Sequence, residues 1–518
     1  MHWAYEIAKR LIEKHPTKEV FTCASGISPS GSVHIGNFRE IVTTFFVVKA
    51  LESLGKKTRF IFSWDDFDRL RKVPQNVPLS FENFVGMPYS DVPNPFGEGS
   101  YAHYFEKEFE QSLQAFGIQP EFIYQSVEYQ SGRYSDYIRI ALKKRKEIYE
   151  ILMRFKSSPF SSEQSEAFFP ITLYCDSCNK DTTAICAFNE ELGQIEYTCT
   201  CGNEGVQSLG GKNRIKLNWK VDWAMRWMME DVVFEPGGRD HSSATGSYNV
   251  SKAIAKEIFD YEAPDYTAYE FIGLKGTNEK MSSSSGNGLT PNDLLLVYTP
   301  EIILFMFAKY KPNASFHIGL DEDVLRNYSE FERYQSAYSK GLIKEEDIRI
   351  TLELACGGSI NRHPSFSQVA SIFSRIGFNY ELLQTSLSRT GVEYTMEEIN
   401  PISDRVAHWI KYWNPHRLVS INQVNNILYY NSLTTEQRRK VNELTELLRN
   451  ETSLSGDSFM NQIYAICEED DKKRMRESQK ELFQNVYQLV IGQSSGPRLP
   501  LLISAVGREK MIKLLTFS

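Results

Sequence analysis

No apolar run in this sequence is long enough to span a membrane; the nearest approach, Leu294 to Lys309, is broken by Pro300 and Glu301. No G-x-x-x-x-G-K-[ST] occurs, so a P-loop is not the means of holding phosphate. Cysteine is sparse. Eight residues, unevenly spaced through 518, make no disulfide framework and suit a reducing cytoplasm. The opening M-H-W-A-Y-E-I-A-K-R carries charge where a secretory leader needs an apolar stretch, so a cytoplasmic location is expected. A fixed-period repeat and low-complexity tracts are also absent, which excludes solenoids and disordered arrays. Basic excess is lacking too: the net charge is −8, a mild argument against nucleic acid, since phosphate binding needs only a local basic surface. Lys143 to Lys146, Arg438 to Lys440 and Lys472 to Arg476 supply such clusters, each of which reads first as a solvated helix face.

What is present is ordinary globular composition, 41% hydrophobic and 24% charged, in a chain long enough for several domains. Helical periodicity runs from Trp3 to Glu13, and E-V-F-T-C-A-S reads as a buried strand ending at Gly26. A helix is predicted from Ile35 to about Leu54, then a strand T-R-F-I-F-S-W ending at Asp65-Asp66. Strand, tight turn, helix and strand form a βαβ unit, which implies a parallel sheet. Residues 71 to about 100 read as a loop, 101–156 as helices, 216–271 as returning helix and strand, and the chain beyond Pro291 as amphipathic helices.

Two stretches carry chemistry. S-P-S-G-S-V-H-I-G-N (residues 28–37) stands at a strand's carboxyl end and a helix N-terminus, where α/β sheets bind ligands. Such a terminus favours phosphate; Gly31 and Gly36 keep the backbone accessible, and His34 and Asn37, three apart, share one face as donors. Alone, the stretch also reads as a capped helix with an incidental histidine. The second, K-M-S-S-S-S-G-N-G from Lys280, suits a mobile loop carrying a cation and hydroxyls onto a polyphosphate, or else a flexible linker.

Together these stretches resemble the two signatures of class I aminoacyl-tRNA synthetases, in the right order. With S-W-D-D-F-D-R-L-R-K-V-P, E-P-G-G-R-D-H, Y-E-F-I-G-L-K-G and G-P-R-L-P, the chain from about residue 20 onward is similar to the class I lysyl-tRNA synthetase family. The resemblance implies an α/β fold: an interrupted parallel, Rossmann-like nucleotide-binding sheet with a zinc-stapled insertion and an all-helical C-terminal region. It implies residues 1–70 and 216–275 as the two halves of the nucleotide-binding domain and 71–215 as the insertion. Residues 276–330 would be the mobile loop and stem-contact region, and 331–518 the helical anticodon-binding domain. The implied reaction joins L-lysine to ATP as lysyl-adenylate and transfers it to the terminal adenosine of tRNA(Lys), with Mg2+ as counter-ion and the chain acting as a monomer. His34, Asn37 and Lys280 are then the catalytic residues, with Pro29, Ser30, Gly31, Gly36, Met281, Ser282, Ser283 and Ser284 completing the ATP site.

Two departures from the family pattern stand out. Asn37 replaces the usual histidine, and Ser283 stands where a second lysine is usual, with Lys275 on the same loop. An amide still donates but carries no charge.

An ammonium substrate needs a carboxylate or oxygen acceptors and aromatic walls for its stem. Asp222, Asp240 and Glu270 are the available acids, Trp219, His241 and Tyr269 the walls or orienters, and Gly26 and Ser28 the floor. Ala24 stands where the related glutamyl enzymes place an arginine for a substrate carboxylate. Trp219, Trp223 and Trp227 recur every four residues, a spacing that puts the latter two in the core. Asp65, Asp66 and Asp68 alternate along a strand and make no metal cage; helix capping and contacts to Arg69 or Arg71 are expected instead.

Cys175-Asp-Ser-Cys178 and Cys199-Thr-Cys201-Gly suit a tetrahedral structural zinc, with Cys186 as a substitute ligand; the alternative is four free thiols. Cys23, Cys356 and Cys467 are expected as buried apolar side chains. Two rival functions use the same motifs. One is a nucleotidyltransferase with another acceptor, which would not need the long helical region. The other is a catalytically decayed relative acting as an RNA-binding or regulatory protein.

Overall fold

Strand β1 (Val20–Ile27) is the centre of a five-stranded sheet, every strand of which runs parallel to its neighbours. β2 (Lys57–Trp64) and β3 (Glu121–Tyr124) extend it on one side, β9 (Val232–Gly238) and β10 (Asp265–Tyr269) on the other, giving the order β10-β9-β1-β2-β3. The structure, a computed structural model, describes residues 1–517 apart from 157–159, 211–213, 277–287, 358–361, 390, 451–455 and 469–470.

The βαβ unit read from the sequence is present. Between β1 and β2 runs α2 (Ile35–Ser53), preceded by α1 (Trp3–Lys14). α2 is buried along nearly its whole length, because I-V-T-T-F-F-V-V leaves it no polar face and it must be covered on all sides. Gly26 is required where β1 meets β2: a Cβ there would stand 2.6 Å from the Ser63 carbonyl oxygen.

The interruption of the sheet is also present, with differences in detail. Residues 101–156 are not helical throughout. After α3 (Tyr101–Ala115) the four-residue β3 joins the sheet edge, too short to show a period of its own. Further strands follow: β4 (Ile171–Leu173) pairs with β8 (Ile215–Leu217), and β5 (Thr183–Asn189), β6 (Gln194–Cys199) and β7 (Glu204–Ser208) form a separate antiparallel sheet. The apolar stretch Tyr269 to Leu274 also divides. β10 ends at Tyr269, and β11 (Ile272–Leu274) pairs instead with β12 (Phe316–Ile318), a strand within the region expected to be helical.

The chain divides into two compact units, Met1–Leu295 with Pro300–Gly319 and Ala337–Ser359, and Leu296–Thr299 with Leu320–Ser336 and Ile360–Ser518. The second unit is helical and contains a core of Val441, Leu444, Leu448, Val486, Val490 and Leu502. Among the described residues no helix is long and apolar enough to cross a membrane.

Candidate active site

The carboxyl ends of β1, β2, β9 and β10 open into a cavity of about 670 Å3. Its wall includes Gly26, Ser28, Ser30, His34, Gly36 and Asn37 from the first motif, and Trp219, Asp240, His241 and Tyr269 from the predicted lysine pocket. Residues distant in sequence are thus brought together as expected, because parallel strands end side by side.

His34 is the N-cap of α2. Its Nδ1 accepts the backbone N–H of Gly36 (3.0 Å) and of Asn37 (3.4 Å). An Nδ1 that accepts leaves the ring proton on Nε2, so the neutral imidazole has its donor at the outer nitrogen. Gly36 permits this cap, since a Cβ there would lie 2.8 Å from the ring. Downstream of the second motif, the Leu289 carbonyl accepts the Ile35 N–H at 2.8 Å, and Gly288 packs on His34 so closely that a Cβ would meet it at 2.4 Å. The two motifs are therefore neighbours at that flank. Lys280, Met281, Ser282, Ser283 and Ser284 themselves lie outside the described residues. Pro29 and Gly31 are buried in the turn and do not line the cavity. Tyr101, stacked on Tyr89, donates its hydroxyl to the Ser30 carbonyl at 3.0 Å and supports the turn from behind.

Trp219 stacks on Trp223 at 5.0 Å, lies beneath the Arg226 guanidinium at 5.4 Å, and stands 6.4 Å from His241. Trp223 and Trp227 are core, as their spacing indicates.

Asp222 does not reach the cavity. It is wholly buried, accepting from the Tyr129 hydroxyl and ion-paired with Arg226 (3.0 Å) and Lys216 (3.8 Å). Glu270 is off the wall as well, held by Arg239 at 3.1 Å. Both expectations are corrected: neither acid lines the cavity, and each is paired with a protein cation.

Of the acids after β2, Asp66 caps a helix as expected, at the first turn of Gln125–Gln130, while Asp65 and Asp68 take other cations than Arg69 or Arg71. Asp65 pairs with Arg226 (2.8 Å), Asp68 with Lys216 (2.5 Å), and Asp66 accepts from the Ser126 N–H and hydroxyl; Arg69 goes to Asp181. Asp65, Asp68 and Asp222 thus face Arg226 and Lys216, an excess of one carboxylate beneath the cavity. Burial opposes charge on Arg226, yet Asp222 and Asp65 outweigh it and raise its pKa.

The wall residue that sequence reasoning missed is Glu40 of α2. Its Oε1 accepts the Gly26 N–H at 3.0 Å and its Oε2 the Tyr269 hydroxyl at 2.7 Å. Its signal was present: it is the first acid after the motif, on the helix that the motif opens. Asp65, Asp68 and Arg71 also line the cavity.

The cysteine pairs converge. The Sγ atoms of Cys175, Cys178, Cys199 and Cys201 lie within 4.8 Å of one another, with Cys175–Cys201 at 3.7 Å and Cys178–Cys199 at 3.6 Å. A tetrahedron with Zn–S of about 2.3 Å has S–S edges of about 3.8 Å, so the four thiols fit zinc. Cys186 is exposed, with its thiol toward Ala184 and Thr198, and is no substitute. Cys23 and Cys467 are buried as expected; Cys356 is only partly so. Metal analysis is expected to find one zinc per chain. Cys175→Ser/Cys178→Ser should lose it and expose the β5–β7 sheet to proteolysis, because this small sheet has little core of its own. Zinc-free wild-type protein with equal protease resistance would refute this.

In the helical unit, Trp409 is buried and donates to the Leu320 carbonyl (2.9 Å), while Arg417 grips Glu322 with two bonds (3.0 and 2.7 Å). Arg438 donates to the Tyr430 and Asn431 carbonyls, and Arg439 is paired with Glu436 and Glu443. Trp413 is an exposed aromatic, beside the exposed Tyr412.

Residues 1–355 match the family model described as tRNA synthetases class I (K). The chain is 33% identical to a lysine–tRNA ligase of Treponema pallidum, across 100% of this chain and 98% of that one. It is 34% identical to the lysine–tRNA ligase of Pyrococcus horikoshii, across 99% of both. Among solved structures, a glutamate tRNA ligase from Elizabethkingia meningosepticum aligns with a TM-score of 0.48 at 13% identity, covering 96% of this chain and 98% of that one.

Proposed function

The chain belongs to the class I (K) tRNA synthetase family, and on that premise we propose that the cavity at the carboxyl edge of its sheet is where lysine and ATP react. The enzyme activates lysine with ATP and charges tRNA. A lysine carboxylate oxygen attacks the α-phosphorus, the bond to the bridging oxygen breaks, and pyrophosphate leaves. The terminal 2′-hydroxyl of tRNA(Lys) then attacks the carbonyl carbon of the adenylate and AMP departs.

The work of the protein here is positioning and charge stabilisation. His34 Nε2–H and the Asn37 amide donate to phosphate oxygens beside the positive end of the α2 dipole, and Lys280 serves the α-phosphate and the leaving group. Ser30, Gly36 and the serines 282–284 complete the ATP cradle. Magnesium, when bound with ATP, neutralises the polyphosphate. Gly26, Ser28, Trp219, Asp240, His241 and Tyr269 form the lysine pocket, and zinc staples the insertion.

We assign residues 1–70 and 216–275 to nucleotide binding, 71–215 to the insertion, 276–330 to the loop and stem contact, and 331–518 to the anticodon arm. In that last region the exposed Tyr412 and Trp413 offer stacking faces. The chain works as a cytoplasmic monomer.

One observation carries this reading: a helix N-terminus suited to phosphate and a carboxylate-rich wall with an aromatic face share one cavity. Its test is ATP–pyrophosphate exchange with each amino acid, with and without tRNA, beside Lys280→Ala. Exchange that needs lysine and is lost in the variant is expected; exchange driven by another amino acid would refute the pocket.

A further inference from the structure

Arg39 of α2 is 2% exposed, and its guanidinium meets main-chain oxygens instead of an acid. One terminal nitrogen donates to the Glu270 carbonyl at 2.7 Å, and the other to the Lys311 and Ala314 carbonyls, each at 2.8 Å. The guanidinium also lies over the Phe316 ring at 5.3 Å. Among the described residues no carboxylate forms an ion pair with it. A buried cation held by carbonyls alone is costly, and an apolar side chain would fill the space for less. What the guanidinium adds is a planar fork that fixes several acceptors at once.

The three carbonyls belong to one local structure. Glu270 lies between β10 and β11, its N–H donates to the Pro312 carbonyl at 2.8 Å, and residues 311–314 lead into β12, the partner of β11. Beyond β11 the Lys275 N–H donates to the Ile318 carbonyl at 3.0 Å, and Lys280 follows five residues on. On the far side of the second motif, Leu289 accepts the Ile35 N–H and Gly288 packs on His34. Both flanks of that motif are therefore tied to α2, one through Arg39 and the other at the first turn of the helix. Five residues of chain span at most about 18 Å, so the point of departure limits where Lys280 can stand.

We propose that Arg39 is a positioning residue for lysine activation: it fixes the segment from which the second motif departs, and thereby sets where Lys280 meets the phosphates at the start of α2. This rests on the role given to Lys280 above and adds the residue that places it. Burial pulls the Arg39 pKa down to about 10, with Glu270 and Tyr269 opposing in part, so the group keeps its charge at neutral pH. Activation is steep in position: a misplacement of about 1 Å can cost on the order of 10²-fold.

Arg39→Gln removes both the charge and the fork. Single-turnover pyrophosphate release, with tRNA present and followed long enough to measure slow variants, is compared for the full chain as wild type, Arg39→Gln, Lys280→Ala and the double variant. Arg39→Gln should lower the rate on the order of 10- to 100-fold, while the lysine affinity measured by calorimetry stays within about 2-fold. In the Lys280→Ala background the same change should cost no more than about 3-fold, because the side chain it places is gone. Losses that multiply would overturn the proposal, since a merely structural role costs the same in either background. An undiminished rate in Arg39→Gln would overturn it, as would a lysine affinity that falls as far as the rate, which would assign Arg39 to the support of the cavity wall. Should Arg39→Gln not fold, Arg39→Lys, which keeps the charge without the planar fork, is read by the same criteria. Wild-type protein without lysine-dependent release would instead refute the broader reading, and a rate unchanged in Lys280→Ala would remove the role on which this one rests.

Discussion

His34→Ala is expected to lower lysyl-adenylate formation by about 10²- to 10³-fold, the usual cost of removing one preorganised donor to a developing phosphoryl charge. The side chain has two tasks, and its two nitrogens divide them. Nδ1 caps α2 by accepting from Gly36 and Asn37, which leaves the ring proton on Nε2 as a donor. Alanine removes both, so it should also cost about 1 kcal/mol of stability through the lost cap. His34→Asn separates them. Asparagine is a good N-cap and its carboxamide oxygen can take the same N–H groups, but the shorter side chain does not reach the position of Nε2. Stability should return while activity stays low. The measurement is ATP–pyrophosphate exchange in the presence of tRNA alongside thermal melting. Activity restored with the melting temperature would mean that His34 is a cap and nothing more.

Arg226→Met is expected to be the most damaging single change to stability, about 3–5 kcal/mol from the unfolding of the first unit. Arg226 is 7% exposed and donates to Asp65 at 2.8 Å while pairing with Asp222 at 3.0 Å. Methionine fills much of the volume but leaves two buried carboxylates, Asp65 and Asp222, with Lys216 as their remaining cation. Asp65 has its pKa raised by burial, against which Arg226 is the first opposing charge, so loss of Arg226 should drive it to take a proton. The effect reaches the cavity as well, because the guanidinium lies over Trp219 and Asp65 lines the wall. Lysine affinity should therefore fall with stability. Adding Asp222→Asn removes one of the stranded charges and should recover part of the loss. Denaturant titration of the three proteins checks this; a double variant no better than the single one would mean that packing, not charge, is the cause.

Zinc, His34, Glu40 and Arg226 also differ in how far the sequence reveals them. His34, Gly36 and Asn37 belong to one turn of helix, and the strand before and helix after it have periods that a window of some fifteen residues displays. The cysteine pairs are legible because metal ligation constrains spacing, and they pointed to one cluster across some twenty residues. Core placement of Trp223 and Trp227 followed from their four-residue repeat. Asp222 was misplaced because two of its partners come from other elements: Arg226, four residues on, is a local helix pair, but Lys216 and the Tyr129 hydroxyl that complete its burial are not. β3 was missed because four residues carry no period, and only an open sheet edge made them a strand.

The sequence by itself therefore determined the class of chemistry: a phosphate-binding helix terminus after a β-strand, a thiolate set spaced for a tetrahedral ion, and a sheet of parallel strands. These depend on local backbone preference and on side chains close together along the chain. Only the tertiary structure decided which acids face the ligand. Arg226 meets Asp65 across 161 residues, and Tyr269 meets Glu40 across 229. Each such pairing either neutralises a carboxylate or leaves it for a substrate. That distinction is electrostatic, it acts over a few ångströms of space, and it has no counterpart in the order of residues along the chain.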